Sequence, residues 1–426
     1  MLFSNLKIYN GKLYFILLLI VAVLTPTAEG LPVKLASLSV ILLTLHWLIS
    51  GEYAAKLEKL KRNKLLWLFL SLFLINLVGL YRVGDLKEAS DILIRKLPIL
   101  LFPLIIGTSD KLTKNQINYI ITAFIVGLFL TSLFTFREGI AVVLDRQDLT
   151  TMVELTLLHR PYSGLFSLFA IVGLVRFYTS SNSVALRAFL IVAILYFLFF
   201  IYVIYVKMTI VALLTLLALF AIIWLIKRWG KYPVIVLGGM LFLSASWYIG
   251  TNEKAGTVIK KIIRSEDFSY QEYNIHLVSS INIRYINWGC SFKVLGEDKN
   301  WLTGLGVGNT QEKLNLCYKN LNPWIYENEM NAHNEYLEEM LRNGLTGLLI
   351  LVLCLAVPTA HSLKHHQYTY LGFLILIIVC CITENVLSRQ AGIMFYALFN
   401  SVFAFNTFNS GKWLRKKEVT LANQSS

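Results

Sequence analysis

The chain has 426 residues, 56% of them apolar and only 15% charged, and its mean hydropathy of +0.63 comes from long apolar runs. This pattern excludes a soluble globular domain and defines an all-α integral membrane protein. The net charge of +14 carries no nucleic-acid signal, because the basic residues collect beside apolar runs, where anionic lipid headgroups are the natural partner.

In chain order, runs of spanning length predict membrane helices near 13–29, 32–50, 65–81, 118–136, 162–178, 186–206, 208–226, 233–250, 344–360, 369–384 and 391–407. A shorter run at 97–108, LPILLFPLIIGT, contains Pro98 and Pro103 and reads by itself as either a span or a re-entrant segment. Loop charge decides for a span and a total of about twelve. With it, Lys7, Lys12, the cluster Lys56, Lys59, Lys61, Arg62 and Lys64, and the tail Lys412, Arg415, Lys416 and Lys417 share one side. The positive-inside rule then places both termini in the cytoplasm. The first run resembles a signal peptide, ending at Thr27-Ala28-Glu29, but a second apolar run follows at once, so an uncleaved hairpin is expected.

Residues 251–332 form a long polar loop between spans nine and ten, rich in Trp, Tyr and Asn. It is expected to be a small extracytoplasmic subdomain with amphipathic helices around 255–264 and 277–295, followed by the glycine turn GLGVGN at 304–309. Domain organisation is therefore read as 1–250 for spans one to nine, 251–343 for the loop subdomain, 344–408 for spans ten to twelve, and 409–426 for a basic cytoplasmic tail. Cys354, Cys380 and Cys381 fall in predicted spans and read as packing residues. Cys290 and Cys317 share the outer loop, where an oxidising compartment permits a disulfide. No Cys/His spacing resembles a metal site, and no cofactor is expected.

The subdomain leads back to the membrane through NAHNEYLEEMLRNGLTGLLI, 331–350, which places His333 and the carboxylates Glu335, Glu338 and Glu339 before an apolar run. Asn331 is expected to cap a helix whose first turn holds His333, near the positive end of the helix dipole, where a neutral imidazole is favoured and can act as a general base. The plainer reading has His333 satisfying a backbone carbonyl and the three glutamates solvating the outer face. Four cations share that face: Arg160 before span six, Lys207 in the turn after the 186–206 run, Arg284 in the loop, and Arg389 close to Glu384. Singly, each reads as a snorkelling side chain, and Arg389 as a partner of Glu384. Together they suggest a phosphate site, for which guanidinium forks are well suited.

Four segments in order carry a family resemblance: VKMTIVALL, RYINWGCSFKVLGEDKNWLTGLGVGN, HNEYLEEMLRNGLTGLL and TENVLSRQAGIMFYALF. They resemble the O-antigen ligase/polymerase superfamily, with O-antigen ligase the nearest type. The resemblance implies a metal-independent, inverting glycosyltransferase. Its donor is a glycan on undecaprenyl pyrophosphate and its acceptor a hydroxyl of lipid A–core oligosaccharide, on the periplasmic face of a bacterial inner membrane. Carried onto this chain, it makes His333 the base and puts Arg284 and Lys207 on the pyrophosphate, with Arg160 and Arg389 as further contacts. Lys207 departs from the family pattern, which has arginine there, and offers a point charge without a fork. An O-antigen polymerase and a protein O-oligosaccharyltransferase share this donor and base. A lipid-linked glycan transporter is a remoter alternative, since no inverted repeat relates the two halves.

Overall fold

A computed structural model of the chain describes residues 2–29, 34–146, 158–230, 280–297, 300–319 and 323–407, with the single positions 232, 233, 240 and 321. The predicted span at 233–250 lies almost wholly outside these residues, and the predicted helix at 255–264 and tail at 409–426 lie outside them entirely. The helices are α1 Leu2–Leu24, α2 Leu35–Ile49, α3 Tyr53–Arg62, α4 Lys64–Val78, α5 Leu86–Thr108, α6 Lys114–Arg146, α7 Arg160–Ser180, α8 Val184–Ile204 and α9 Lys207–Trp229. After the loop come α10 Ser280–Glu297, α11 Thr310–Lys319, α12 Pro323–Glu327, α13 Glu335–Lys364, α14 Tyr368–Thr383 and α15 Gln390–Thr407. The described residues contain no β-strand.

By length and composition, 7 of these helices can cross a membrane, or 8 if α2 and α3, bent by 108° at their junction, form one span. The remaining predicted runs at 97–108, 369–384 and 391–407 are helical, as α5, α14 and α15. The ambiguous proline-containing run is the second half of α5, which starts much earlier because the Asp85 carboxylate accepts the Lys87 and Glu88 amides and caps it. Both prolines lie inside that helix.

Lipid tails are as apolar as leucine, so these helices associate through close packing more than through a hydrophobic gain. At the centre is α15, buried continuously from Ala391 to Phe405. Its Phe395 and Phe399 rings lie 4.4 Å from Phe166 and 4.6 Å from Phe169 of α7, centroid to centroid. Such pairs each contribute about 1 kcal/mol beyond the area they bury.

The long helix α13 is broken at Gly344, whose φ of 65° and ψ of −161° lie outside the helical range. A break at a buried position frees backbone groups that must find partners within the protein. The segment 301–306 supplies their partners. Trp301 O accepts Leu345 N at 2.7 Å, while Leu305 N and Gly306 N donate to Leu341 O at 2.7 Å and Arg342 O at 3.0 Å. Glycine is required because a Cβ at 344 would stand 2.3 Å from the Leu302 carbonyl carbon, and one at 304 would stand 2.5 Å from the Arg342 carbonyl. The same glycine turn then joins the α4–α5 connection through Val307 N to Gly79 O, 3.4 Å, and Asp85 N to Gly308 O, 3.3 Å. The GLGVGN stretch is thus a backbone splice between three parts of the chain.

A second apolar cluster forms above this splice, from Ile286 and Leu295 of α10, Leu314 and Tyr318 of α11, Ile325 of α12, and Leu337, Met340 and Leu341 of α13. A Cys290–Cys317 disulfide links α10 to α11 and closes a separation of 27 residues.

Gly344→Ala is expected to destabilise the chain by at least about 3 kcal/mol, since it adds a strained φ to a backbone clash; detergent-solubilised thermal unfolding measures it. Cys290→Ser is expected to cost about 3 kcal/mol from the loop-closure contribution, read as earlier proteolysis between 280 and 330 than in the wild type.

Candidate functional site

The site begins with a turn. His333 has φ +47° and lies before α13, whose N-cap is Asn334, with its side chain accepting Leu337 N at 3.1 Å. The sequence expectation of an Asn331 cap with His333 in the first helical turn is corrected: the cap lies three positions later, at Asn334, and His333 precedes the helix. Asn331 instead accepts the His333 amide through its side-chain oxygen at 3.0 Å, a local Asx turn that sets the imidazole apart from the helix axis.

His333 Nδ1 stands 3.5 Å from Glu384 Oε2, at the outer edge of hydrogen-bond distance. The other carboxylate oxygen accepts Arg284 Nη2 at 2.9 Å, and Arg284 Nε donates to Thr383 O at 3.2 Å. One carboxylate therefore gathers the loop arginine and the histidine from two different elements. The second ring nitrogen, Nε2, is 3.5 Å from the Met330 thioether, a weak partner. Burial opposes the charge on Glu384, but the contact with His333 and the positive charge of Arg284 outweigh it and hold the carboxyl below its usual range.

The other predicted cations are arranged differently. Arg389 is half-exposed and pairs with Glu29 at 3.9 Å, so the expected Arg389–Glu384 pair is replaced by Glu384 with Arg284 and His333. Arg160 opens α7 and reaches Ile204 O at 3.5 Å, tying it to the end of α8. Lys207 opens α9 as an exposed side chain and, among the described residues, makes no contact with Arg284 or His333. Arg389 also lines a cleft of about 1200 Å³ between α2, α5 and α11, together with Arg95, Arg342 and Lys34; His333 and Arg284 are not part of its wall.

Sequence reasoning passed over His159, next to Arg160 in LLHRPYSGLF. Its ring reaches solvent, yet partial burial, followed by the charges of Arg389, His333 and Arg160 set against Glu384, pushes its pKa down to about 4. That set of neighbours places His159 in the same electrostatic field as the Glu384 group. The three glutamates after His333 are also corrected, since none of them solvates an outer face: Glu335, Glu338 and Glu339 are 0%, 3% and 0% exposed. Glu335 Oε2 accepts Leu387 N at 2.7 Å, Glu338 pairs with Arg342, and Glu339 pairs with Lys96 of α5 and accepts Asn343 Nδ2 at 2.9 Å. The signal for this was present in the sequence as Lys96, a cation directly before the apolar run at 97–108.

These features define a multi-pass helical membrane protein with a histidine–carboxylate–arginine group where helices end. Residues 191–352 match the family model described as O-antigen ligase, which supports the O-antigen ligase superfamily. The match runs from α8 into α13; it includes Lys207, Arg284 and His333 and ends before Glu384 and Arg389. The family implies a glycosyltransferase-like enzyme of lipid-linked glycans. No curated protein and no solved structure is detectably similar to the chain.

Glu384→Gln should lower stability by about 2 kcal/mol near neutral pH, as expected for a lost charge-assisted contact. Because the folded carboxyl titrates below its ordinary value of 4.5, that contribution is complete above the ordinary value and fades as pH falls through the folded one. Thermal unfolding of both forms from about pH 8 to 3 should show a constant gap that closes only on the acid side.

Proposed function

We propose that the protein is an O-antigen ligase that transfers a glycan from undecaprenyl pyrophosphate to a hydroxyl of lipid A–core oligosaccharide, on the periplasmic face of a bacterial inner membrane. The observation that carries this reading is the convergence of His333 and Arg284 on Glu384, added to the family match. The disulfide between Cys290 and Cys317 supports an outer-face location, since it needs an oxidising compartment.

The geometry supports the following chemistry. With Nδ1 turned to Glu384, the tautomer that puts the proton on that nitrogen would leave the Nε2 lone pair facing Met330. An acceptor hydroxyl displacing the thioether would give its proton to Nε2 as its oxygen attacks the anomeric carbon. The carbon–oxygen bond to pyrophosphate breaks on the opposite side, which inverts the centre. The departing oxygen takes the bond's electron pair, and Arg284, already held at the site by Glu384 and Thr383 O, stabilises the developing charge. The leaving group is a stable anion, so no general acid is required. Lys207, Arg160 and Arg389 would serve the outer phosphate and glycan as the donor threads between α7, α9 and the 384–390 loop. Polymerase and protein O-oligosaccharyltransferase chemistry use the same steps with a different acceptor.

Lipopolysaccharide gels from a ligase-deleted strain of the native host test the assignment. Wild type should restore long-chain lipopolysaccharide; His333→Ala should reduce it by at least about 100-fold at equal membrane level, the usual scale for a lost general base, and Arg284→Ala should also reduce it. Extension of single repeats in a polymerase-deleted strain, without ligation, would assign the polymerase instead.

A further inference from the structure

His333 and Glu384 belong to separate elements, and their 3.5 Å contact is too long to hold itself in register. Beside it lies a shorter set of bonds. Glu338 Oε2 accepts Ala332 N at 3.3 Å, immediately before His333, and Asn385 Nδ2 at 2.8 Å, immediately after Glu384. Asn385 Oδ1 accepts Asn334 N at 2.6 Å, on the other side of His333. Both backbone neighbours of the histidine are thereby tied to one two-residue unit, and that unit is itself the chain neighbour of the carboxylate. Asn385 is further pinned by Tyr162, whose hydroxyl donates to Asn385 O at 3.0 Å, and Glu338 is fixed from behind by Arg342. Glu338 and Asn385 are each 3% exposed, so water does not compete for these bonds.

We propose that Glu338 and Asn385 form a brace that sets the His333–Glu384 spacing, acting as positioning residues for glycan transfer through the backbone on either side of His333. The inference rests on His333 being the base. A brace of this kind affects turnover rather than binding, because the donor is gripped by cations and the brace only aims the imidazole. Displacing a reacting group by about 1 Å costs on the order of 100-fold in rate.

The direction of the hydrogen bond gives the test. In Asn385→Asp, a carboxylate faces the Glu338 carboxylate and the donor is gone. Adding Glu338→Gln returns a donor from the opposite side, while the amide oxygen can still accept from Arg342 and only the long 3.3 Å bond from Ala332 N is lost. Purified full-length wild type, N385D, E338Q and the double variant are compared in single-turnover transfer from an undecaprenyl-pyrophosphate-linked glycan. The pH dependence of the rate is followed, and thermal unfolding is run in parallel.

N385D is expected to lose on the order of 100-fold in rate with KM for the donor within twofold, and its acid limb should move, because His333 no longer faces Glu384 squarely. The double variant should recover at least tenfold over N385D. Wild-type rate and an unmoved acid limb in N385D would overturn the brace, as would a double variant no better than N385D while equally stable. If wild type itself transfers nothing, the ligase reading fails. The brace is then judged by the His333 imidazole resonances of histidine-labelled protein: a titration identical in wild type and N385D overturns it, and a shifted one that the double variant restores upholds it. Should N385D fail to fold, E338Q is read against wild type by the same rate, acid limb and resonances.

Discussion

The constraint on which the rest depends is that no buried backbone group freed by the break in α13 goes without a partner. Helix α13 must turn aside at Gly344 to bring its first turns over the site, and that break exposes carbonyls and amides which only protein can satisfy. The 301–306 segment runs alongside and supplies the partners in register, from Leu345 with Trp301 to Gly306 with Arg342. Because the strap must lie flat against another backbone, its glycines exclude side chains at 304 and 344. The loop subdomain is thereby joined to α13 through main-chain bonds, and its orientation over the membrane does not depend on side-chain packing alone.

Once the backbone is satisfied, the first half of α13 is able to carry charge inward. Lys96 with Glu339 and Arg342 with Glu338 are pairs that lipid would not tolerate singly. Replacing such pairs with apolar residues is often neutral for stability, so their presence argues for geometric specificity rather than strength. Here the specificity has a recognisable object. Glu335, Glu338, Arg342 and Asn334 all bond to the segment 385–388, which follows Glu384. A loop between two membrane helices is held by three side chains, the Asn334 backbone amide and a tyrosine hydroxyl.

The sequence made the helices legible because apolar run length is a direct consequence of bilayer thickness. It also drew attention to Arg284 and His333 through the motif order, and in the structure both face Glu384. What it did not make legible were the partners of charge. Glu384 was read against Arg389, five residues away, because proximity in sequence is visible and the approach of α10 to the α14–α15 turn is not. The three glutamates were assigned to solvent because a helix entering a membrane usually sheds its charges outward; only the placement of Lys96, Arg342 and the 385–388 amides against them reverses that reading. The glycine turn was recognised as a turn, but its role as a splice requires knowing which backbones lie within 2.5 Å of the missing Cβ atoms.

The arrangement around residues 384–390 separates two environments with a single strand of chain. On one side Glu384 faces Arg284 and His333; on the other, Ser388, Arg389 and Gln390 line the cleft with α2 and α5. A carboxylate that must orient a histidine needs a fixed position, whereas a cleft wall needs only shape and charge. The hydrogen bonds are distributed accordingly. They are dense and short from Asn385 to Leu387, at 2.6 to 2.8 Å, and give way to a half-exposed, long ion pair at Arg389. Hydrogen bonding in this loop is densest beside the carboxylate that faces the histidine and falls off toward the cleft, the gradient that the proposed reaction would call for if a reacting pair is held while a larger ligand is admitted next to it.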